Sequence, residues 1–344
     1  MSVQLKQVTA FMCTLPQINQ FVQKLASPAP IRLRHRLMCG IQAFSLREFS
    51  SINAGGRSLA ANRYTGESRA VRALRDGRVA DLVAALVLEF LPKSSLLYCS
   101  LDHSQFGPFC IAVLAISLRK GRAIPIWCQM NVSQAGLMKP LLSALDELAA
   151  SLPPDQKLVL VMDRWFCGKN LLQSIRKKGW FFVSRAKYGR HVEAPWENGT
   201  IPVGEVSREE TRVVYKGMEL RLVRSTLRPG MKEDEPWFLL TNLPADITYR
   251  QVLNRYAERF EIEECFKDVK WIQRLEWQQV RKAETMRALL LFVFLGWWIF
   301  WNLMPPEPDR KTHPKHRISW FRAAYETLRR LTWPPELRFT PLIP

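Results

Sequence analysis

The chain has 344 residues, 47% of them hydrophobic, which is enough to bury a sizeable core and suggests two or three domains. Its 50 lysines and arginines outnumber 31 aspartates and glutamates, giving a formal charge of +19 and a pI near 10.0. Such an excess favours a polyanionic partner, nucleic acid first, because each neutralised phosphate releases condensed counterions; an anionic membrane surface or plain solubility are the other uses of that charge. Seven cysteines, odd in number and without a C-x-x-C pair, argue against a disulfide framework or a zinc site and for a reduced, intracellular protein.

In chain order, the first segment "MSVQLKQVTAFMCTLPQINQF" has no basic stretch followed by a continuous apolar run, so no signal peptide is expected. Residues 1–85 read as helical and strongly basic: Arg32, Arg34, Arg36, Arg47, Arg57, Arg63, Arg69, Arg72, Arg75 and Arg78 are set against only Glu48, Glu67, Asp76 and Asp81. The short-helix, Gly-turn, basic-helix rhythm there is that of a DNA-binding unit, though a solvated helical bundle has the same composition. The pattern then turns to strands: "SSLLYCSLD", two more runs meeting around Lys120-Gly121, and "KLVLVMD" after an amphipathic helix, "AGLMKPLLSALDELAASL". A further helix, "GKNLLQSIRKKGW", and the strand "FFVSRAK" follow. Three antiparallel strands, then a helix and parallel-type strands, predict a mixed α/β sheet of five strands with flanking helices, the order of a ribonuclease H-like core, over residues 86–187. Residues 188–245 break this rhythm with strand-like runs, read as an all-β insertion. Residues 246–304 return to helices of the core. The apolar run "ALLLFVFLGWWIFWNLM" is shorter than a membrane span needs and reads as a buried core helix. Residues 305–344 form a basic, Pro-rich tail.

The stretch "YAERFEIEECFKDVK" carries the most chemistry. On one straight helix, Tyr256, Arg259, Glu263, Lys267 and Lys270 share a stripe within about 80°, joined by Arg274, while Ile262, Cys265, Phe266 and Val269 form an apolar side. A glutamate inside a row of cations has two explanations. It can be an i,i+4 ion pair with Arg259 or Lys267, or a metal ligand beside a phosphate backbone held by Tyr256, Arg259 and Lys270. The second needs more carboxylates, and Asp102 and Asp163 are available, each expected at the exit of an apolar strand. A lone aspartate there is commonly a turn or cap residue, but two of them with a helix-borne glutamate make hard oxygen donors for Mg²⁺ or Mn²⁺. Two such ions can serve an in-line phosphoryl displacement.

The pattern Y-x₂-R-x₃-E-x₆-K, here Tyr256, Arg259, Glu263 and Lys270, resembles the signature of the insertion-sequence-four family of bacterial DDE transposases. "SLDHS", "GRAIPIWC" and "VLVMDRWF" resemble that family's first-aspartate motif, following strand and second-aspartate motif. The resemblance implies Asp102, Asp163 and Glu263 as the catalytic, metal-binding triad, and Tyr256, Arg259 and Lys270 as contacts to the DNA backbone. It also implies Trp237, in the strand insertion, as a residue that stacks on an extruded base, although a core aromatic is an equal reading of that position. Double-stranded DNA carrying terminal inverted repeats, target DNA, and a homodimer bridging two ends are the partners so implied, in a bacterial cytoplasm, at the nucleoid, without a membrane. A ribonuclease H-like structure-specific nuclease and a non-catalytic DNA-binding protein remain the rival classes.

Overall fold

The computed structural model describes residues 29–45, 51–60, 62–89, 91–117, 123–197, 199–226, 236–271 and 280–303. Arg47, Arg274, the Lys120-Gly121 turn and the 305–344 tail lie outside them. The chain divides into two compact units, Met1–Phe90 with Val269–Pro344, and Leu91–Asp268.

In the first unit, α1 (Ile31–Gly40) runs into a π-helical turn (Ile41–Ser45), followed by α2 (Ile52–Gly56), α3 (Arg63–Arg75) and α4 (Gly77–Glu89). Ser51 and Asn62 start α2 and α3 by accepting the N–H groups of Ala54 (3.1 Å) and Thr65 (3.2 Å), which would otherwise have no helical partner. Gly56 and Gly66 let these two segments touch backbone to backbone: a Cβ on Gly66 would sit 2.3 Å from the Gly56 carbonyl oxygen. The apolar run forms α9 (Ala283–Leu303), whose residues 288–298 are buried all round. It packs on α4 and the π-helical turn, where the Ser45 hydroxyl donates to the Phe292 carbonyl (2.5 Å). Among the described residues no helix is long and apolar enough to cross a membrane.

The second unit is built on one mixed sheet. Its strands are β1 (Leu96–Phe106), β2 (Phe109–Ser117), β3 (Ala123–Asn131), β4 (Lys157–Met162), β5 (Phe181–Arg185), β6 (His191–Glu193), β7 (Thr200–Pro202), β8 (Glu210–Tyr215), β9 (Met218–Arg224) and β10 (Phe238–Thr241). They lie in the order β3-β2-β1-β4-β5-β10-β9-β8-β6-β7. β1, β2 and β3 pair antiparallel, whereas β1–β4 and β4–β5 are parallel, as the sequence pattern predicts. In the segment read as an all-β insertion, β6 to β10 continue the same sheet beyond β5, with β10 hydrogen-bonded antiparallel to it. Pro125, which has no N–H to donate, is accommodated on edge strand β3 beside a bulge.

α5 (Met138–Ser151) buries Leu141, Ala144, Leu145 and Leu148, the i, i+3, i+4, i+7 stripe of an amphipathic helix, and packs on α6 (Lys169–Lys177). α7 (Tyr249–Glu258) begins at a reciprocal capping box between Thr248 and Gln251. Its Val252 and Tyr256 close a core with Val159, Val161, Val183, Val223 and Leu239, alternate residues of four strands. Each such buried side chain contributes about 1.5–3 kcal/mol, so this cluster anchors α7 firmly to the sheet. α8 (Glu261–Trp271) follows and buries Ile262, Cys265, Phe266 and Val269, the apolar side expected from helical spacing.

α7 and α8 are separate helices, where one continuous helix was expected. Between them the backbone bonds run three residues back, Arg259 N–H to Tyr256 O and Glu263 N–H to Phe260 O, which tightens the turn. No glycine or proline marks this break.

Candidate active site

The sheet register assembles the site. Leu101 pairs with Met162, and Met162 with Ser184, so the next position along β1, β4 and β5 is held by Asp102, Asp163 and Arg185. Residues in register on neighbouring strands lie about 4.8 Å apart and point to the same side. That side is the one carrying Val161 and Val183, where α7 packs. Asp163 immediately follows β4 and stays extended (φ −74°, ψ 169°). Asp102, expected at a strand end, instead lies within β1, opposite Val113 of β2. It is β4 that stops there, leaving the Asp102 side of β1 open.

Arg259, in the tight turn, ties this row to α8. Its Nη1 donates to Asp102 Oδ2 (2.6 Å) and its Nη2 to Glu263 Oε1 (3.1 Å). The Arg259 and Asp102 side chains are 6% and 13% exposed, but Glu263 is 46% exposed. Burial pulls the Arg259 guanidinium down, yet the groups around it, Tyr256, Asp102, Asp163 and Glu263, together raise it above its usual value. It therefore stays a fixed cation among three carboxylates. The other Asp102 oxygen accepts the His103 backbone N–H (2.8 Å).

The remaining glutamates of the stretch have other partners. Glu258 pairs with Arg255 (3.0 Å), Glu264 with Lys267 (2.5 Å), and Glu261 accepts from the Ser117 hydroxyl at the end of β2 (2.6 Å). Of the two ion pairs open to Glu263, Arg259 is the one formed, and Lys267 goes to Glu264.

Tyr256 departs from a solvent-facing stripe. It is completely buried, its hydroxyl lies within the protein without a well-formed hydrogen bond, and burial, with Asp163 adding and Arg259 opposing, pushes its pKa up to about 12. The stripe assumed one straight helix; the break after Glu258 turns Tyr256 into the sheet instead. Lys270 lies two turns beyond Glu263 on α8 and is half-buried. Trp237 sits beside the same turn, its ring 5.0 Å from that of Tyr256 and 5.9 Å from that of Phe260, and its backbone N–H donates to Ser225 Oγ (2.7 Å).

Two features escaped the sequence reading. Arg185 is buried in the aspartate row and its charge acts on Tyr256; it too ends an apolar strand, the signal that singled out Asp163. His103 stacks on Trp165 (4.9 Å) and meets the edge of Phe166 (5.7 Å), contacts Gln134 through Nε2, and places Nδ1 3.5 Å from Asp102. Trp165 and Phe166 belong to the short turn after Asp163, so this cluster links the segments bearing the two aspartates.

Among the described residues no three His, Cys, Asp or Glu side chains converge closely enough to hold a metal as they stand. The donors themselves are carboxylate oxygens, the chemistry of Mg²⁺ or Mn²⁺, and two of them already share one cationic group. None of the described cysteines forms a disulfide, and all are buried.

A row of carboxylates on a mixed sheet, met by a helix-borne glutamate in a strongly basic chain, fits an enzyme acting on phosphodiesters. The model of the Transposase DDE domain family matches residues 111–299, more than half of the chain, and the chain belongs to that family. The match spans Asp163, Tyr256, Arg259, Glu263 and Lys270 and begins just beyond Asp102. No curated protein matches the chain. Family membership points to a transposase, a class of enzyme whose substrates are DNA.

Proposed function

We propose that the chain is an insertion-sequence-four-like transposase with a ribonuclease H-like core, cutting DNA at the ends of its element and joining the freed 3′-hydroxyl to target DNA. The observation that carries this reading is the Arg259 guanidinium clamped between Asp102 and Glu263, with Asp163 beside Asp102 in the register row. The strand order β3-β2-β1-β4-β5, with parallel pairing confined to β1, β4 and β5, supports the core assignment. Residues 1–85 serve as the DNA-end-binding domain, and two copies act together on two ends.

Asp102, Asp163 and Glu263 hold the divalent cations. Bound there, Mg²⁺ or Mn²⁺ supplies Lewis acidity for an in-line displacement at phosphorus. Until then Arg259 keeps the carboxylates from repelling one another. Were Glu263 and Asp102 to hold such a cation, the Arg259 guanidinium would be free to meet a phosphate oxygen, a bidentate partner it suits. Lys270 adds a second cation farther along α8. Tyr256 packs beneath the turn and sets where Arg259 can reach. Positioning and charge stabilisation do the chemistry, so no covalent enzyme intermediate is needed.

The test is Mg²⁺-dependent cleavage and 3′-end joining on DNA carrying the element's ends, comparing Glu263→Gln with Glu264→Gln. Activity is expected to vanish for Glu263→Gln and persist for Glu264→Gln, whose partner is Lys267. Cleavage without joining by the unaltered chain would instead mark a nuclease, and activity that survives Glu263→Gln removes the triad.

A further inference from the structure

α3 has two faces, and the fold uses one. At 100° per residue, Gly66, Ala70, Ala73 and Leu74 fall together and are buried, on the side where α1, α2 and α9 pack. Tyr64, Ser68, Arg72 and Arg75 lie within about 80° of one another on the opposite side. All four are exposed, Tyr64 at 79%. A short helix, a turn and this longer basic helix follow one another in the chain, with α2 and α3 in backbone contact at Gly56 and Gly66, an arrangement that can present a helix to DNA. The outer stripe is not needed for that packing.

Charge says what the stripe suits. The two acids beside it are each held by two arginines: Glu67 by Arg57 (3.1 Å) and Arg63 (2.9 Å), and Asp76 by Arg78 (3.1 Å) and Arg36. Arg69, Arg72 and Arg75 form no ion pair with a described residue. Burial, with Arg69 and Arg72 adding, holds His35 of α1 below its usual pKa, so the positive field reaches that helix as well. A second copy docking here about a two-fold axis would set like charge against like. A polyanion fits instead, and the major groove of duplex DNA admits one helix; Tyr64 to Arg75 spans about 16 Å of it.

Arg72 is also shaped to read a base. Its Nε donates to the Ser68 carbonyl (3.2 Å) and its Nη2 to Ser68 Oγ (2.9 Å), so Ser68 occupies one edge of the guanidinium and orients its plane. The end edge, Nη1 with the second Nη2 hydrogen, stays open. Two parallel N–H donors of that kind match the N7 and O6 acceptors of guanine.

We propose that α3 enters the major groove of the element's end and that Arg72, oriented by Ser68, reads a guanine there while Arg75 meets a phosphate. The inference rests on the transposase reading above and names the residues that give it specificity. Its test uses the full chain in metal-free buffer, a duplex of the element's end with its guanines replaced one at a time by 7-deazaguanine, and a scrambled duplex of equal length, read by fluorescence anisotropy. One replacement is expected to weaken binding by the unaltered chain about 10-fold. Arg72→Lys, which keeps the charge and loses the fork, is expected to bind the end about 10-fold more weakly, ignore that replacement and hold the scrambled duplex as before. Arg75→Gln is expected to weaken both duplexes alike and to lower the salt slope by about one. No sensitive guanine, the same sensitivity in Arg72→Lys, or equal binding of the two duplexes by the unaltered chain overturns the reading helix and leaves the transposase reading standing. So does an Arg72→Lys chain altered only in self-association, which makes the stripe a contact with a second copy. If the unaltered chain binds neither duplex, the transposase reading fails before any variant is compared, and this site falls with it.

Discussion

Replacing Arg259 by Gln removes the cation that joins the two sides of the site, and the structure sets the size of the effect. The bond to Asp102 is short (2.6 Å) and both side chains are nearly buried, so as a charge-assisted hydrogen bond it is worth about 1.5–3 kcal/mol. The bond to Glu263 spans i,i+4 at 3.1 Å with a half-exposed carboxylate, and contributes about 0–1 kcal/mol. Arg259→Gln should therefore destabilise the chain by about 2–4 kcal/mol in urea unfolding at neutral pH without divalent ions. A double-mutant cycle separates the limbs: coupling to Asp102→Asn should be about 1.5–3 kcal/mol, and coupling to Glu263→Gln below about 1 kcal/mol. Added Mg²⁺ should raise the variant's midpoint more than the unaltered chain's, because the competing positive charge is gone. Coupling to Asp102→Asn below about 0.5 kcal/mol, or larger coupling to Glu263→Gln, would refute the clamp.

Tyr256→Phe removes a buried hydroxyl that lacks a well-formed partner, so stability at pH 7 should change by less than about 1 kcal/mol. Because folding raises this phenol to about 12, its stabilising contribution is complete below an unfolded pKa near 10 and is lost as pH climbs toward 12; the variant, followed by circular dichroism, should escape about 2–3 kcal/mol of that alkaline loss. His103→Ala deletes the stack linking the two aspartate-bearing segments and should slow cleavage about 3- to 10-fold with little change in DNA affinity, whereas His103→Phe restores most of the rate. Ser117→Ala cuts the tie from β2 to the first turn of α8, and hydrogen exchange should show that turn opening more readily, by about 1–2 kcal/mol. DNA binding should weaken steeply with KCl, and a flat salt dependence would undercut the electrostatic argument for the +19 charge.

What the sequence reveals here is what short-range periodicity encodes. Ile262, Cys265, Phe266 and Val269 recur at helical spacing, and all four are buried; "KLVLVMD" is a short apolar run, and it is β4 ending just before Asp163. The parallel and antiparallel pairings of the first five strands follow from which connections contain helices. Long-range register carries no such signal. Nothing local in "FFVSRAK" says that Arg185 falls level with Asp102 and Asp163, or that β10 docks on β5 and draws the later strands into the same sheet. The break at Arg259 and Phe260 is hidden for a different reason. Helical propensity is high throughout, and only the packing of Phe260 against Trp237 and Tyr256, a tertiary event, marks the turn. That break also misled the placement of Tyr256, because a helical wheel cannot represent two axes.

The same break explains how one stretch supplies both a rigid and a yielding part of the site. Tyr256 is locked into the core by α7, and Arg259, at the turn, inherits that rigidity and stays 6% exposed. Glu263, past the turn, is 46% exposed and free to change partner. Three carboxylates with Arg259 and Arg185 sum formally to −1, a charge that repels a phosphodiester; one bound divalent cation reverses the sign. Were these carboxylates to hold a divalent cation, as proposed above, its charge would ease the approach of DNA, and the half-exposed Glu263 is the member freest to turn to it. At constant ionic strength, added Mg²⁺ should accordingly raise affinity for DNA ends even though KCl lowers it, and Glu263→Gln should blunt that gain. Equal Mg²⁺ responses in Glu263→Gln and the unaltered chain would place the effect on the DNA or on the general basic surface, and not on this row.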